Sequence, residues 1–218
     1  MSFIVTGNNQ SEFKLPPAGN HLARCYRIID LGTQTSVYKG KENKLRKVMI
    51  SWELHGEDSE GQPLLTDDGQ PLMMSRQFTT SLSEKATLRL MLESWRGKDF
   101  TLDELAGFDL TSVMDKFCML QVSHDKSADG SKTYANVVNI TSVPAIVKKA
   151  GLPEGVNKCV VLSLDNFDQK VFDSLSEGIK KKIMSSPEYM QLAGGFVPEQ
   201  GTQANNKSLA DIDDDIPF

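Results

Sequence analysis

Lys47-Val48-Met49-Ile50-Ser51-Trp52-Glu53-Leu54 alternates without a break. Val48, Ile50, Trp52 and Leu54 share one side; Lys47, Met49, Ser51 and Glu53 share the other. Successive side chains of an extended strand point to opposite faces, so this octet predicts a strand with an apolar face on a core and a polar face toward water. Just upstream, His21 to Leu31 is rich in β-formers and apolar on both faces, with Tyr26, Ile28 and Ile29. It reads as a second strand, separated from the octet by bend and turn signals at Gly32 and Gly40–Asn43.

Downstream, residues 56–71 form a polar excursion containing Asp67-Asp68-Gly69, a long loop or a β-ribbon. Leu72 to Thr80 is a third strand. Ser83 is an N-cap candidate for a helix whose Leu88, Met91, Leu92 and Trp95 fall on one stripe and which Gly97 stops. Asp103 to Leu105 suits a short turn. Lys116–His124 and Tyr134–Val143 read as two more strands, and the Asp129-Gly130 step between them predicts a hairpin. Pro144 interrupts. Cys159 to Leu164 suits one further strand, and Asn166 to Met184 a helix with Val171, Phe172, Leu175 and Ile179 as its stripe, although Gly178 weakens it. The Lys180–Lys182 triplet complements that helix's dipole. From Gly194 onward the composition cannot build a core.

Three strands, a helix and two strands is the element order of an OB-fold, a five-stranded Greek-key barrel that binds oligonucleotides. The expected class is therefore mainly β with added helices (α+β). A barrel with a helix between strands 3 and 4 occupies residues 1–192, with a helical extension over about 145–192. A flexible linker follows at 193–210 and an acidic segment at 211–218.

Composition excludes several classes. The chain has 218 residues, 39% hydrophobic and 24% charged, the balance of a soluble globular protein. Cys25, Cys118 and Cys159 are widely spaced with no Cys-x-x-Cys, so a zinc ribbon or a secreted disulfide framework does not fit. No run of eighteen apolar residues suggests a membrane span, and Met1–Gln10 lacks the pattern of a secretory leader. A cytoplasmic protein is expected. Gly56 and Gly61 have the spacing that opens a phosphate-binding loop, but Gln62 stands where its lysine belongs. His21, His55 and His124 are remote from the cysteines, and Asp67-Asp68 before Gly69 suits a turn better than a nuclease metal site. No enzyme, cofactor or metal is expected.

The net charge of −5 is unevenly spread. Residues 211–218 carry −4, leaving −1 for residues 1–210. Residues 24–47 hold seven basic side chains (Arg24, Arg27, Lys39, Lys41, Lys44, Arg46, Lys47) against Asp30 and Glu42 alone, a net +5. Such asymmetry points to a polyanion partner and an acidic interaction segment. Single-strand binding needs a positive groove for phosphates and aromatic faces for bases. Tyr26 and Tyr38 interleave with the basic run, Arg76 and Phe78 share one face of the third strand, and Tyr134 follows Lys126 and Lys132 of the second hairpin. These are the candidate DNA-binding residues. Trp52 and Trp95 belong to the core on their apolar stripes.

The last residues, Asp211-Ile212-Asp213-Asp214-Asp215-Ile216-Pro217-Phe218, closely resemble the acidic end of bacterial single-stranded DNA-binding proteins. The resemblance implies that Phe218 anchors partner proteins of replication, recombination or repair. Pro217 and Ile216 would be its apolar neighbours, and Asp211 and Asp213–Asp215 the electrostatic guide. It covers eight residues strictly and the element order loosely. The linker of about 18 residues is short and residues 145–192 have no counterpart in the simple bacterial domain. The chain thus looks more like a bacteriophage-encoded relative, without an implied tetramer. The expected function is non-enzymatic binding and protection of single-stranded DNA, with self-association left open. The rival is an interaction protein that mimics the host tail and captures replication enzymes without touching DNA. If about five cations engage phosphates at ~0.7 each, the log–log slope of affinity against salt is near −3 to −4 in a filter-binding titration. A slope near zero removes the groove.

Overall fold

The computed structural model describes residues 14–38 and 40–194; the side chains of Tyr38 and Lys41 lie outside that description. So do the leader reading at Met1–Gln10, Lys39, and the linker and acidic segment beyond Gly194, including Asp211, Asp213–Asp215, Ile216, Pro217 and Phe218.

The described chain is α+β. It runs β1 (Gly19–Tyr38), β2 (Lys41–His55), β3 (Met73–Thr79), α1 (Thr87–Arg96), α2 (Leu102–Ala106), a 3-10 turn (Leu110–Val113), β4 (Phe117–Lys126), β5 (Thr133–Thr141), α3 (Ala145–Ala150), β6 (Val160–Leu162), α4 (Gln169–Asp173), α5 (Glu177–Met184) and α6 (Pro187–Leu192). The sheet is ordered β3-β2-β1-β4-β5 and antiparallel, with β6 adding a short parallel pairing to Arg27–Ile29 of β1. β3 and β5 are not joined by a ladder, so the sheet is open and the closed barrel expected from the sequence is not present. Arg76 of β3 instead reaches across, its Nη1 donating to the Val137 carbonyl of β5 at 2.7 Å.

β1 is twenty residues long and pairs with β2 from Leu22↔His55 to Tyr38↔Lys41. Bulges after Cys25 and Asp30 bend it. At the second, Gly32 has φ 68°, and a Cβ there would run into the Ser186 side chain. Glycine is needed twice over, for the left-handed backbone and for the close approach. Beyond Gly32 the β1–β2 ribbon projects with most of its side chains exposed.

Two cores lie on opposite faces of β1 and β2. Val48, Ile50, Trp52 and Leu54 face the first, as their alternation predicts, and meet the α1 stripe of Leu88, Met91, Leu92 and Trp95. The Trp52 and Trp95 rings are 6.0 Å apart and tilted. The other face of β2 departs from expectation. Met49, Ser51 and Glu53 are buried rather than solvated. The segment from Val156 onward covers them, and Ile29, Leu31 and Met49 share a second core with Leu162, Leu164, Phe172, Leu175 and Ile183. This core is what the part of the extension from Val160 to Tyr189 packs against.

Local departures have local causes. α1 begins at Thr87, after Ala86, rather than at Ser83, and has no side-chain cap; Gly97 ends it in the left-handed conformation, as expected. The turn near Asp103 is a helix closed by a Thr101–Glu104 capping box. The long helix over Asn166–Met184 is two helices: α4 starts on Asp168, whose carboxylate caps Lys170 and Val171, and the chain breaks between Asp173 and Glu177. α6 went unforeseen. It is capped by Ser186 and tied to β1 where Thr33 N and Oγ1 donate to Glu188 at 2.8 and 2.5 Å. Residues 56–71 form a ribbon with bridges Glu57↔Pro63 and Leu65↔Pro71, and Leu64 inserts into the first core. The three cysteines are free, and burial pushes the Cys25 thiol up to about 12. Among the described residues no helix is long and apolar enough to cross a membrane.

Glu53 is fully buried and demands partners. Arg24 Nε donates to it at 2.7 Å, Val156 N at 2.9 Å, and Asn157 N and Nδ2 at 2.7 Å each. Arg24 also donates to Asp115 and to the Asn157 carbonyl, both at 2.5 Å. A Cβ on Gly155 would overlap the Arg24 guanidinium, so this neighbour must be glycine. Burial opposes ionisation of Glu53, but these hydrogen bonds outweigh it and hold the carboxyl down at about 2. An unfolded chain protonates the group near 4.5, so unfolding takes up a proton between those values. The stabilisation is complete above about 4.5 and lost as pH falls toward 2. Glu53→Gln, which leaves Arg24 partly unpaired, is expected to cost about 3 kcal/mol at pH 7 in urea unfolding and to flatten the acid limb over that range.

Candidate nucleic-acid interface

A groove of ≈280 Å³ runs between the β3 edge and the segment leading into α1. Its cations are Lys47, Arg76 and Lys85, its hydroxyls include Thr79, Ser81 and Ser83, and no carboxylate lines it. The register explains the grouping. Val48 pairs with Phe78 and Ile50 with Arg76, so β2 and β3 bring Lys47 beside Thr79. The chain then leaves β3 and returns through Ser81–Ala86, a segment that carries Lys85 over the same edge before α1 starts. Arg76 sits over the Phe78 ring, 5.4 Å from its centre. Three cations and several hydroxyl donors around one concavity are the chemistry of a phosphate-tracking groove.

Sequence reading placed Lys47, Arg76 and Phe78 at this surface and missed Lys85, Ser81 and Ser83. Ser83 was taken for a helix cap. The available signal was a Lys amid serines just before an uncapped helix start.

Other candidates lie elsewhere. Arg24 is buried in the Glu53 network and is not a phosphate ligand in this arrangement. Tyr26 is buried at the first bulge, where its hydroxyl donates to Met73 Sδ at 2.8 Å. Burial leaves it no face for a base, and the same holds for Phe78, at 3% exposure, whose ring belongs to the first core. Arg27 stands over Tyr26 and donates to Ser51 Oγ at 3.2 Å. Arg46 is committed to Asp30 at 2.5 Å and Asp165 at 3.2 Å. Hydrogen bonding to Asp30 raises its pKa further, though burial works against that. Lys44 is exposed on the β1–β2 ribbon and paired with Glu42 at 3.2 Å, a surface contact of little energy. The backbone sets Tyr38 opposite Lys41 at the ribbon tip.

Lys126, Lys132 and Tyr134 sit exposed on the β4–β5 hairpin. That hairpin extends past Gly19, at one end of β1, while the β1–β2 tip lies at the other. The pairing therefore does not bring the two loops together. Its turn is set by Asp129, which accepts from Ser127 and Ser131 and is held down at about 2 by those bonds. Asp67-Asp68-Gly69 forms the turn expected of it, closed by Thr66 N to the Gln70 carbonyl at 2.7 Å. Among the described residues no group of three His, Cys, Asp or Glu is placed to hold a metal ion.

No protein-family model and no curated protein matches the chain.

Lys47→Gln with Lys85→Gln is expected to weaken binding of a labelled single-stranded oligonucleotide and to shrink the salt slope by ~1.4, two phosphate contacts at ~0.7 each. Lys126→Gln with Lys132→Gln is expected to change neither quantity, because that hairpin lies outside the groove. Filter binding over a salt series reads both.

Proposed function

We propose that this protein binds single-stranded DNA without catalysis and recruits partner proteins of replication, recombination or repair through residues 211–218. The observation that carries the reading is the groove with Lys47, Arg76 and Lys85 on its walls and no carboxylate among them. It supports a polyanion ligand whatever the fold is named. Supporting it, Lys41 and Lys44 belong to β2, the strand that also carries Lys47 into the groove.

We further infer an OB-type body. The order β3-β2-β1-β4-β5, with α1 between β3 and β4, is that of the five-stranded Greek-key barrel, opened at the β3–β5 seam that Arg76 spans. The acidic segment, resembling that of bacterial single-stranded DNA-binding proteins, supplies the recruitment half of the reading.

The rival keeps a specific observation in its favour. Arg24 and Arg46 of the basic run are tied into ion pairs, and Tyr26 and Phe78 are buried. A chain with its cations so spent would capture enzymes by its tail alone. Gel shifts with labelled single- and double-stranded oligonucleotides separate the two. The proposal expects a shift on the single strand that is lost near 1 M salt, where the screening length is ~3 Å. Capture of partners with no shift on either probe establishes the rival. Phe218→Ala is expected to abolish partner pull-down and leave oligonucleotide affinity unchanged.

A further inference from the structure

A second concavity, of ≈430 Å³, lies at the far end of α1 from the groove. The groove takes in Lys85–Leu88 at the helix start, and this pocket takes in Trp95, Arg96 and Lys98 at its end. Ten helical residues separate them by ~15 Å. The two linings differ in kind. The groove is lined by hydroxyls, Gln77 and cations with Phe78, Ala86 and Leu88 among them, whereas the pocket is walled by Trp95, Phe108, Val113, Phe117 and Val143. Four cations also line it, Arg96, Lys98, Lys116 and Lys148, with Glu104 the lone carboxylate among its lining residues. Glu104 is already engaged by Arg96 and by Lys98. Arg96 is flanked by the Phe100 and Phe108 rings, 4.4 and 5.1 Å from their centres, and its Nη1 is buried without a hydrogen-bond partner.

An apolar floor with a cationic lining fits an acidic peptide that carries bulky apolar side chains. The chain contains one. Residues 211–218 combine four aspartates with Ile212, Ile216, Pro217 and Phe218. Sixteen residues, 195–210, separate it from the end of α6 and Gly194. Extended at ~3.3 Å per residue they reach ~50 Å, well beyond the ~16 Å radius of gyration of a fold this size. The groove could attract the aspartates, but its apolar lining is Phe78 and Leu88, both buried, and the small Ala86, against three aromatic rings and two valines in the pocket.

We propose that this pocket is the docking site of the chain's own segment 211–218. Docked there, the segment is held a helix length from the groove, so nucleic acid and segment are accommodated together. Partner proteins must then compete with the pocket for Phe218. The inference stands on the pocket and the segment and does not require that the groove bind nucleic acid.

Hydrogen exchange on the full chain, alongside the chain lacking residues 211–218, tests it at low salt without nucleic acid. Amides of residues 96–98, 108–117 and 142–148 are expected to exchange at least threefold more slowly in the full chain. Phe218→Asp and Ile216→Asp, which add charge and remove apolar surface from the segment, are expected to lose that protection. Lys98→Gln with Lys148→Gln is expected to lose it too. Equal exchange with and without the segment overturns the proposal. So does protection confined to residues 76–88, which would place the segment in the groove, and so does protection that survives Phe218→Asp, which would reduce the contact to charge. In a final arm, a single-stranded oligonucleotide is added to the full chain. Protection of 76–88 with that of the pocket retained is the expected pattern. An oligonucleotide that itself protects the pocket amides in the shortened chain makes the pocket a nucleic-acid site and overturns the assignment.

Discussion

A carboxylate with no solvent exposure sits inside the sheet, on β2 beside the long strand β1 that meets both neighbouring strands, β6, α5 and α6. Glu53 is tolerable there only because each of its oxygens meets donors: Arg24 from the neighbouring strand, and Val156 and Asn157 from a segment a hundred residues further along. The same guanidinium holds Asp115 just ahead of β4 and excludes any side chain at Gly155. One charge pair thus dictates which segment may cover the outer face of β1 and β2. Removing either partner would leave the other stranded in a dry interior, which is why the covering segment and the sheet are bound to one another by more than apolar contact.

That constraint shapes where chemistry can happen. With the outer face closed around Glu53 and the inner face filled by Trp52, Trp95 and their neighbours, the flat faces of β1 and β2 near their middle are not available to a ligand. Cations are presented instead at margins: along the β3 edge, where Lys47, Arg76 and Lys85 converge, on the projecting ribbon, and at the end of α1. α1 separates the hydroxyl-rich site from the apolar one. The first suits a sugar–phosphate chain and the second a peptide.

Much of the fold was legible in order along the chain. The octet at 47–54 named its inner residues correctly, and the α1 stripe and its Gly97 stop were read as they stand, because each depends on neighbours within one or two turns. The Asp129-Gly130 hairpin was local in the same sense. The candidate site was less legible. Arg24 and Tyr26 look like any basic and aromatic pair in a charged run, and only the partners across space turn one into a buried ion and the other into packing. Lys85 was passed over because its significance comes from β3, not from its own sequence neighbours. The closed barrel failed for a similar reason: element order sets which strands can pair, but ladder closure depends on bend and twist summed over all five.

Read alone, the amino-acid sequence determined the order of the five main strands with α1 among them, the inward face of β2, the imbalance of charge and the presence of an acidic, apolar-ended segment. The tertiary structure alone decided that the polar face of β2 is also interior, that the sheet stays open between β3 and β5, and which cations share a groove. Periodicity reports the environment a side chain would favour. It carries no information about a distant segment that arrives with matching donors, and such a segment can bury a glutamate as completely as a tryptophan.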